Sequence, residues 1–226
     1  IKNKKRSVKD EELRKKLIPN FAIGCKRILL SNKWYRALAQ DNVSVVSGIS
    51  EIQGNTLISS DGSRCEVDAI IYGTGFHVAN PPIAQLIEGE QIEGAKKSTL
   101  ADKWQGSPDA YLGTMTEGCP NMFLTLGPNL YTFNSAFVII EAQLDYICSA
   151  IESAQENGLE TIRINAGKSA DYNQKLQTSL QQTVWNSGCS SYFIDETGKN
   201  STNWPWSTSH MRKRLKRFKL ADHVVS

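Results

Sequence analysis

NMFLTLGPN, residues 121–129, is an apolar run that breaks at a glycine–proline turn, and a helical pattern over 135–157 follows it. A short apolar run bounded by turn residues reads as a buried strand. In the helical stretch Ile140, Leu144, Ile147 and Ile151 recur every three or four residues, which predicts a face turned to a core. Strand, glycine turn and helix in succession predict an α/β domain of the nucleotide-binding kind, where ligands gather beyond the C-terminal ends of strands.

Working outward, the same order begins again in DAIIYGTGF, residues 68–76. Upstream of it NVSVV, SEI, TLISS and RCEVD are strand-like, with QGN and DGS as turns. They predict a small β-meander that ends in a buried strand at 69–73. Residues 10–17 predict a short helix with acids first, lysines last and Pro19 as its stop, and 31–40 a second one. The stretch 80–109 is irregular. TIRI, residues 161–164, reads as a strand, 169–185 as a helix, and the rest as a loop-rich tail ending in MRKRLKRF. Nowhere does a GxGxxG or GxxxxGK[ST] occur, so a dinucleotide site needs residues from outside this chain for its phosphates.

The 226 residues are 40% hydrophobic and 22% charged, the range of globular proteins. A net charge of +3 does not argue for nucleic acid or an anionic membrane as partner. The five cysteines are odd in number, widely spaced and without a CxxC pair, so neither a disulfide framework nor a zinc or other metal site is expected. No apolar run has membrane-spanning length and the charged opening is unlike a signal peptide, which points to a cytoplasmic protein. That opening also reads as the middle of a longer sequence. The tail 211–219 holds six Arg or Lys residues, with Met211, Leu215 and Phe218 at helical spacing. It is either a surface helix for membrane or nucleic acid or, the favoured reading, a helix docked by its apolar stripe. None of His77, His210 and His223 is read as catalytic.

KLIPNFAIGCKRILLSNKWYRAL, NVSVV, EVDAIIYGTGF, YLGTMTEGCPNMFLTLGPN, IEAQLDYI and CSSYFIDETGKNSTNWPW, in this order, resemble the C-terminal part of Baeyer–Villiger monooxygenases. These flavoenzymes insert oxygen next to a carbonyl. The resemblance runs from about residue 10 onward, and its most specific pieces are GCKR, DAIIYGTGF and PNMFLTLGPN. It implies a partial FAD/NAD(P)-binding, Rossmann-like fold with a small β-meander and a loop-rich tail. Residues 1–76 would then be the end of an NADPH-binding domain with its return linker, and 77–226 the C-terminal part of an FAD-binding domain. FAD and NADPH are the implied cofactors, O2 and a small ketone or aldehyde the implied reactants, and the remainder of the parent chain the implied partner.

By resemblance Arg27 in GCKR stands beside the flavin. There a fixed guanidinium keeps a C4a-peroxyflavin anionic and stabilises the tetrahedral adduct, and arginine stays charged in any setting. Lys26 would pair with the 2′-phosphate of NADPH as a point charge. Both could instead be a solvated loop pair. Thr74 and Gly75 lie in the return turn, where the family more often has alanine at the position of Gly73; an ordinary strand-to-loop turn is the plain alternative. Gly127, Pro128 and Asn129 would lie over the flavin ring, with Ser135 and Ala136 at the helix end nearby, although Ser135 could be a simple cap. Tyr192 takes the place of a family tryptophan at the NADP ribose. Two other readings stay open: a flavin monooxygenase that oxygenates nitrogen or sulfur, and a non-catalytic interaction module derived from such an enzyme.

Overall fold

The computed structural model describes residues 6–75, 81–89, 98–131 and 134–226. By contact the chain forms two compact units: Ile1–Phe21 with Ile28–Phe76, and Ala22–Arg27 with His77–Ser226. Residues 76 and 77, where the domain boundary is expected, lie outside the described residues.

In the first unit α1 (Glu11–Lys16) starts at Asp10, whose carboxylate accepts the Glu12 N–H at 2.9 Å. Acidic residues fill its first turn and basic ones its last, complementing the helix dipole. Helix α2 (Trp34–Leu38) is shorter than the sequence pattern predicts, and the Ser31 hydroxyl accepts the Lys33 and Trp34 N–H groups at its N-terminus. β1 (Ile49–Gln53), β2 (Thr56–Ser59) and β3 (Arg64–Glu66) form the expected antiparallel meander in that order, with Gly54 and Gly62 in the connecting turns.

The strands expected at 42–46 and 69–73 are not formed, and the second is not buried: Ile71 is 95% exposed. A strand is a hydrogen-bonded pair before it is a sequence pattern, and neither run finds a ladder partner among the described residues. Leu30 is as exposed as Ile71.

The second unit holds the main core. Helix α3 (Leu100–Trp104) opens with a capping box between Thr99 and Asp102 and packs Leu100 against Ala84 and Cys119. Helix α4 (Ala136–Asn157) ends at Gly158, whose φ of +64° is the left-handed C-terminal turn that glycine accepts. Its buried face is Ile139, Ala142, Gln143, Tyr146 and Ala150, not the predicted stripe. Leu144 and Ile151 are about half exposed, and with Phe137 they mark an apolar seam on the outer side. β4 (Ile162–Ile164) pairs antiparallel with β5 (His223–Val225), and α5 (Ala166–Gln181) buries Tyr172, Leu176 and Leu180. Helix α6 (Thr208–Leu215) is docked by Met211 and Leu215, with Phe218 just beyond, as the favoured reading of the basic tail expects.

Residues 121–127, the other expected strand, are turns and extended chain. Their backbone groups bond elsewhere. The Asn121 N–H donates to Ile162 O, that of Leu124 to Thr114 O, and that of Leu126 to the Gln143 side chain at 2.7 Å. Gln143, fully buried, donates in return to the carbonyls of Gly113 and Leu124 and to the Thr114 hydroxyl. One side-chain amide does here what a neighbouring strand would do.

Where α4 meets β5, His223 Nδ1 bonds the Lys219 carbonyl at 2.7 Å, so this nitrogen carries the proton. Its Nε2 then accepts from the Tyr146 hydroxyl at 2.8 Å. Burial pushes the His223 pKa below the ordinary imidazole value, outweighing the Lys219 carbonyl and Asp222, and burial likewise pushes the Tyr146 phenol up.

Candidate functional site

A cavity of about 470 Å3 opens within the second unit, well inside the range of small-molecule pockets. Ile83, Ala84, Ile87, Leu100 and Trp104 form an apolar wall. The turn Leu124–Pro128, the start of α4 at Ala136, and Arg27 also line the cavity, with Ser201 and Thr202 contributed by the tail.

This turn is built from unusual backbone. Leu126 and Asn129 adopt φ of +51° and +58°, and Leu112 beside Gly113 adopts +50°. Left-handed conformations at non-glycine residues cost energy and persist where packing enforces them, often at sites that bind. Packing is evident at Asn129: its side-chain amide donates to the carbonyls of Asn200 at 2.8 Å and Asn203 at 3.1 Å, and its N–H to Ser201 O. Gly127 is forced, because a β-carbon there would stand 2.3 Å from Gly113 O.

Arg27 leaves the loop 22–27, and its guanidinium lies over the Tyr131 ring, 5.3 Å from the centroid. Among the described residues no carboxylate pairs with it. Two residues upstream, Cys25 and Cys189 bring their sulfurs within bonding distance as a disulfide, with Cα atoms 6.4 Å apart. This corrects the expectation of unpaired cysteines. A sequence separation of 164 carries no spacing signal, and only the fold brings the two loops together.

Of the residues predicted for the site, the cavity brings together Arg27, Gly127, Pro128 and Ala136. Asn129 is buried just behind the rim, and Ser135 precedes α4 with its side chain making no capping bond. Lys26 is exposed on the Arg27 loop, and Tyr192 is partly exposed with its ring against Phe193; neither lines the cavity. Thr74 and Gly75 belong to the first unit, Gly75 with φ of +90°. Sequence reasoning passed over Tyr131, Asn134, Trp104, Ser201 and Thr202. Tyr131 and Asn134 lie two to five residues beyond the quoted LGPN, so extending that motif to the helix would have found them.

No family model matches the chain. Among solved structures, OTEMO in complex with FAD and NADP superposes with a TM-score of 0.86 at 22% identity, covering 100% of this chain and 43% of that one. Oxidized steroid monooxygenase bound to NADP superposes at 0.83, also at 22% identity, over 99% of this chain and 43% of that one. At these identities the likeness is one of fold, and it bears out the expected mixed, partial FAD/NAD(P)-binding architecture.

The sequence comparisons are more particular. A Baeyer–Villiger monooxygenase of Streptomyces coelicolor is 41% identical over 223 residues, 97% of this chain and 42% of the relative. One of Pseudomonas aeruginosa is 38% identical over all of this chain and 43% of the relative. The resemblance to Baeyer–Villiger monooxygenases therefore holds along the whole chain, which spans about two fifths of the length of these curated relatives. Among the described residues no helix is long and apolar enough to cross a membrane.

Proposed function

We propose that this chain is the C-terminal part of a flavoprotein monooxygenase that uses NADPH and O2 to insert oxygen into ketones or aldehydes, with Arg27 as its catalytic side chain. The carrying observation is a guanidinium at the rim of a mainly apolar cavity, with no carboxylate among the described residues to neutralise it.

The residues present fit a flavin ring. The hydroxyl of Ser201, a buried residue of the cavity lining, has no hydrogen-bond partner among the described residues, as expected of an atom reserved for a ligand. Ser135 leaves the first N–H groups of α4 without a side-chain cap, and Ala136 at that positive helix end lines the cavity. Gly127 and Pro128, with Asn129 behind them, would hold the flavin ring, with Ala136 and the preceding Ser135 beside it. When bound, the flavin supplies redox and oxygen-activating chemistry. Arg27 adds a permanent positive charge that stabilises negative charge growing on oxygen at the carbonyl. The apolar wall excludes water and orients the carbonyl compound. Lys26 would pair with the 2′-phosphate of NADPH and Tyr192 would hold its ribose, with Thr74 and Gly75 in the return turn between an NADPH-binding part, 1–76, and an FAD-binding part, 77–226.

The exposed Leu30, Ile71 and Tyr72, and the outer seam of α4 from Phe137 to Ile151, support the remainder of a parent chain as partner. Apolar surface of this kind is normally covered. A cytoplasmic setting accords with this reading; the Cys25–Cys189 bond is the observation against a permanently reducing one.

Replacing Arg27 by alanine in the full-length protein should lower ketone oxidation by about 100-fold or more while NADPH oxidation stays measurable. Ester formed at the wild-type rate would end this proposal. Sulfide oxidation that survives the change while ketone oxidation was never present would favour the nitrogen- or sulfur-oxygenating reading.

A further inference from the structure

We infer that Tyr131 is the positioning residue for Arg27, holding the guanidinium by its ring face. The inference rests on the proposed role of Arg27. The guanidinium carbon is 5.3 Å from the ring centroid, within cation–π range, and both residues line the cavity.

The platform is fixed. The Tyr131 N–H donates to Thr202 O at 3.0 Å, its carbonyl accepts the Trp204 N–H at 2.9 Å, and the strand-like bridge is centred on Asn203. Its ring leans on Phe193, which is fully buried, at 5.7 Å between centroids. Asn200 and Asn203, buried and bonded to each other, secure the segment beneath. Arg27, by contrast, is exposed on its loop, and a long side chain there loses its many rotamers only if something restrains it.

The kind of restraint decides what the cation can do. A carboxylate would orient the guanidinium but neutralise it and occupy its N–H groups. An aromatic face attracts the cation through the ring quadrupole and leaves every N–H free for an anionic oxygen. Tyr131 therefore orders Arg27 without spending its charge.

The test uses the full-length protein with bound FAD. Phenylalanine and its mono-, di- and trifluorinated forms are installed at position 131, which keeps ring shape while weakening the quadrupole stepwise. The kcat for ketone oxidation should fall stepwise, to roughly a tenth at the end of the series, with the KM for NADPH within twofold. The rate at which phenylglyoxal modifies Arg27, followed by mass spectrometry, should rise along the same series. Tyr131→Phe should match the wild type. A flat series in both measurements overturns the positioning role, as does a Tyr131→Phe variant already impaired like the trifluorinated one. Persistent ketone oxidation in Arg27→Ala would instead remove the catalytic reading, while graded Arg27 modification would still support the contact.

Discussion

Gly113 and Gly127 pass each other in direct backbone contact: a β-carbon on Gly127 would stand 2.3 Å from the Gly113 carbonyl oxygen. A β-carbon on Gly113, at φ +58°, would meet Leu130 Cγ at 2.3 Å and Pro128 O at 2.8 Å. The Gly113 and Pro128 oxygens are backbone atoms, and the Leu130 side chain is fully buried, so none of them can easily swing aside. Gly127→Ala is expected to cost about 2–3 kcal/mol by urea denaturation, the range of an overpacked interior. Gly113→Ala adds left-handed strain and should cost at least as much. Wild-type stability in Gly127→Ala would show that the rim can move apart.

Gln143 bonds four groups that lie outside any helix or strand: the Leu126 N–H, the Gly113 and Leu124 carbonyls and the Thr114 hydroxyl. Gln143→Leu leaves the carbonyls of Gly113 and Leu124 and the Leu126 N–H without this partner, and at about 1–3 kcal/mol for each buried orphan should cost about 3–5 kcal/mol. Gln143→Glu should be worse still, since an ionised carboxylate would face two carbonyl oxygens. If the two variants were equally and mildly destabilised, as measured by denaturant midpoint, water would have to replace the amide.

Acid should weaken the fold through His223. Its folded pKa is held below the unfolded value of about 6.5 by burial, so the unfolded chain takes up a proton first as pH falls. The His223 contribution is complete above that unfolded value and is lost as pH drops from it toward the folded one. Thermal melts of the wild type should therefore decline more steeply between pH 7 and 5.5 than melts of His223→Gln. Parallel curves would mean that other groups govern this window.

The Cys25–Cys189 bond is open to direct measurement. Alkylation without reductant should label Cys65 and Cys148, which are exposed, and spare Cys25 and Cys189; with reductant present all four should react. Cys25→Ser with Cys189→Ser should lower stability by about 2–4 kcal/mol under oxidising conditions and by little under reducing ones.

How much of this was legible from residues alone depends on whether a partner lay nearby in sequence. Helix α1, the meander and the docked tail were readable because caps, turns and periodicity are local. The strand-like runs 69–73 and 121–127 misled because their apolar content was read without knowing what would pair with them. In α4 the larger aliphatics Leu144 and Ile151 drew attention from the true inner face, where a glutamine and two alanines allow close approach. The rim was found through LGPN and GCKR. Its supports Ser201 and Cys189 are brought there by the tail, and no spacing rule could connect residues so far apart.

The bond between Cys25 and Cys189 also makes most of the chain a closed ring. A protease that cuts once anywhere inside that ring produces a nicked molecule whose pieces stay together and whose mobility falls apart into fragments only after a thiol is added. The lifetime of the protein after such a cut would then be set by the redox state around it as much as by the cut.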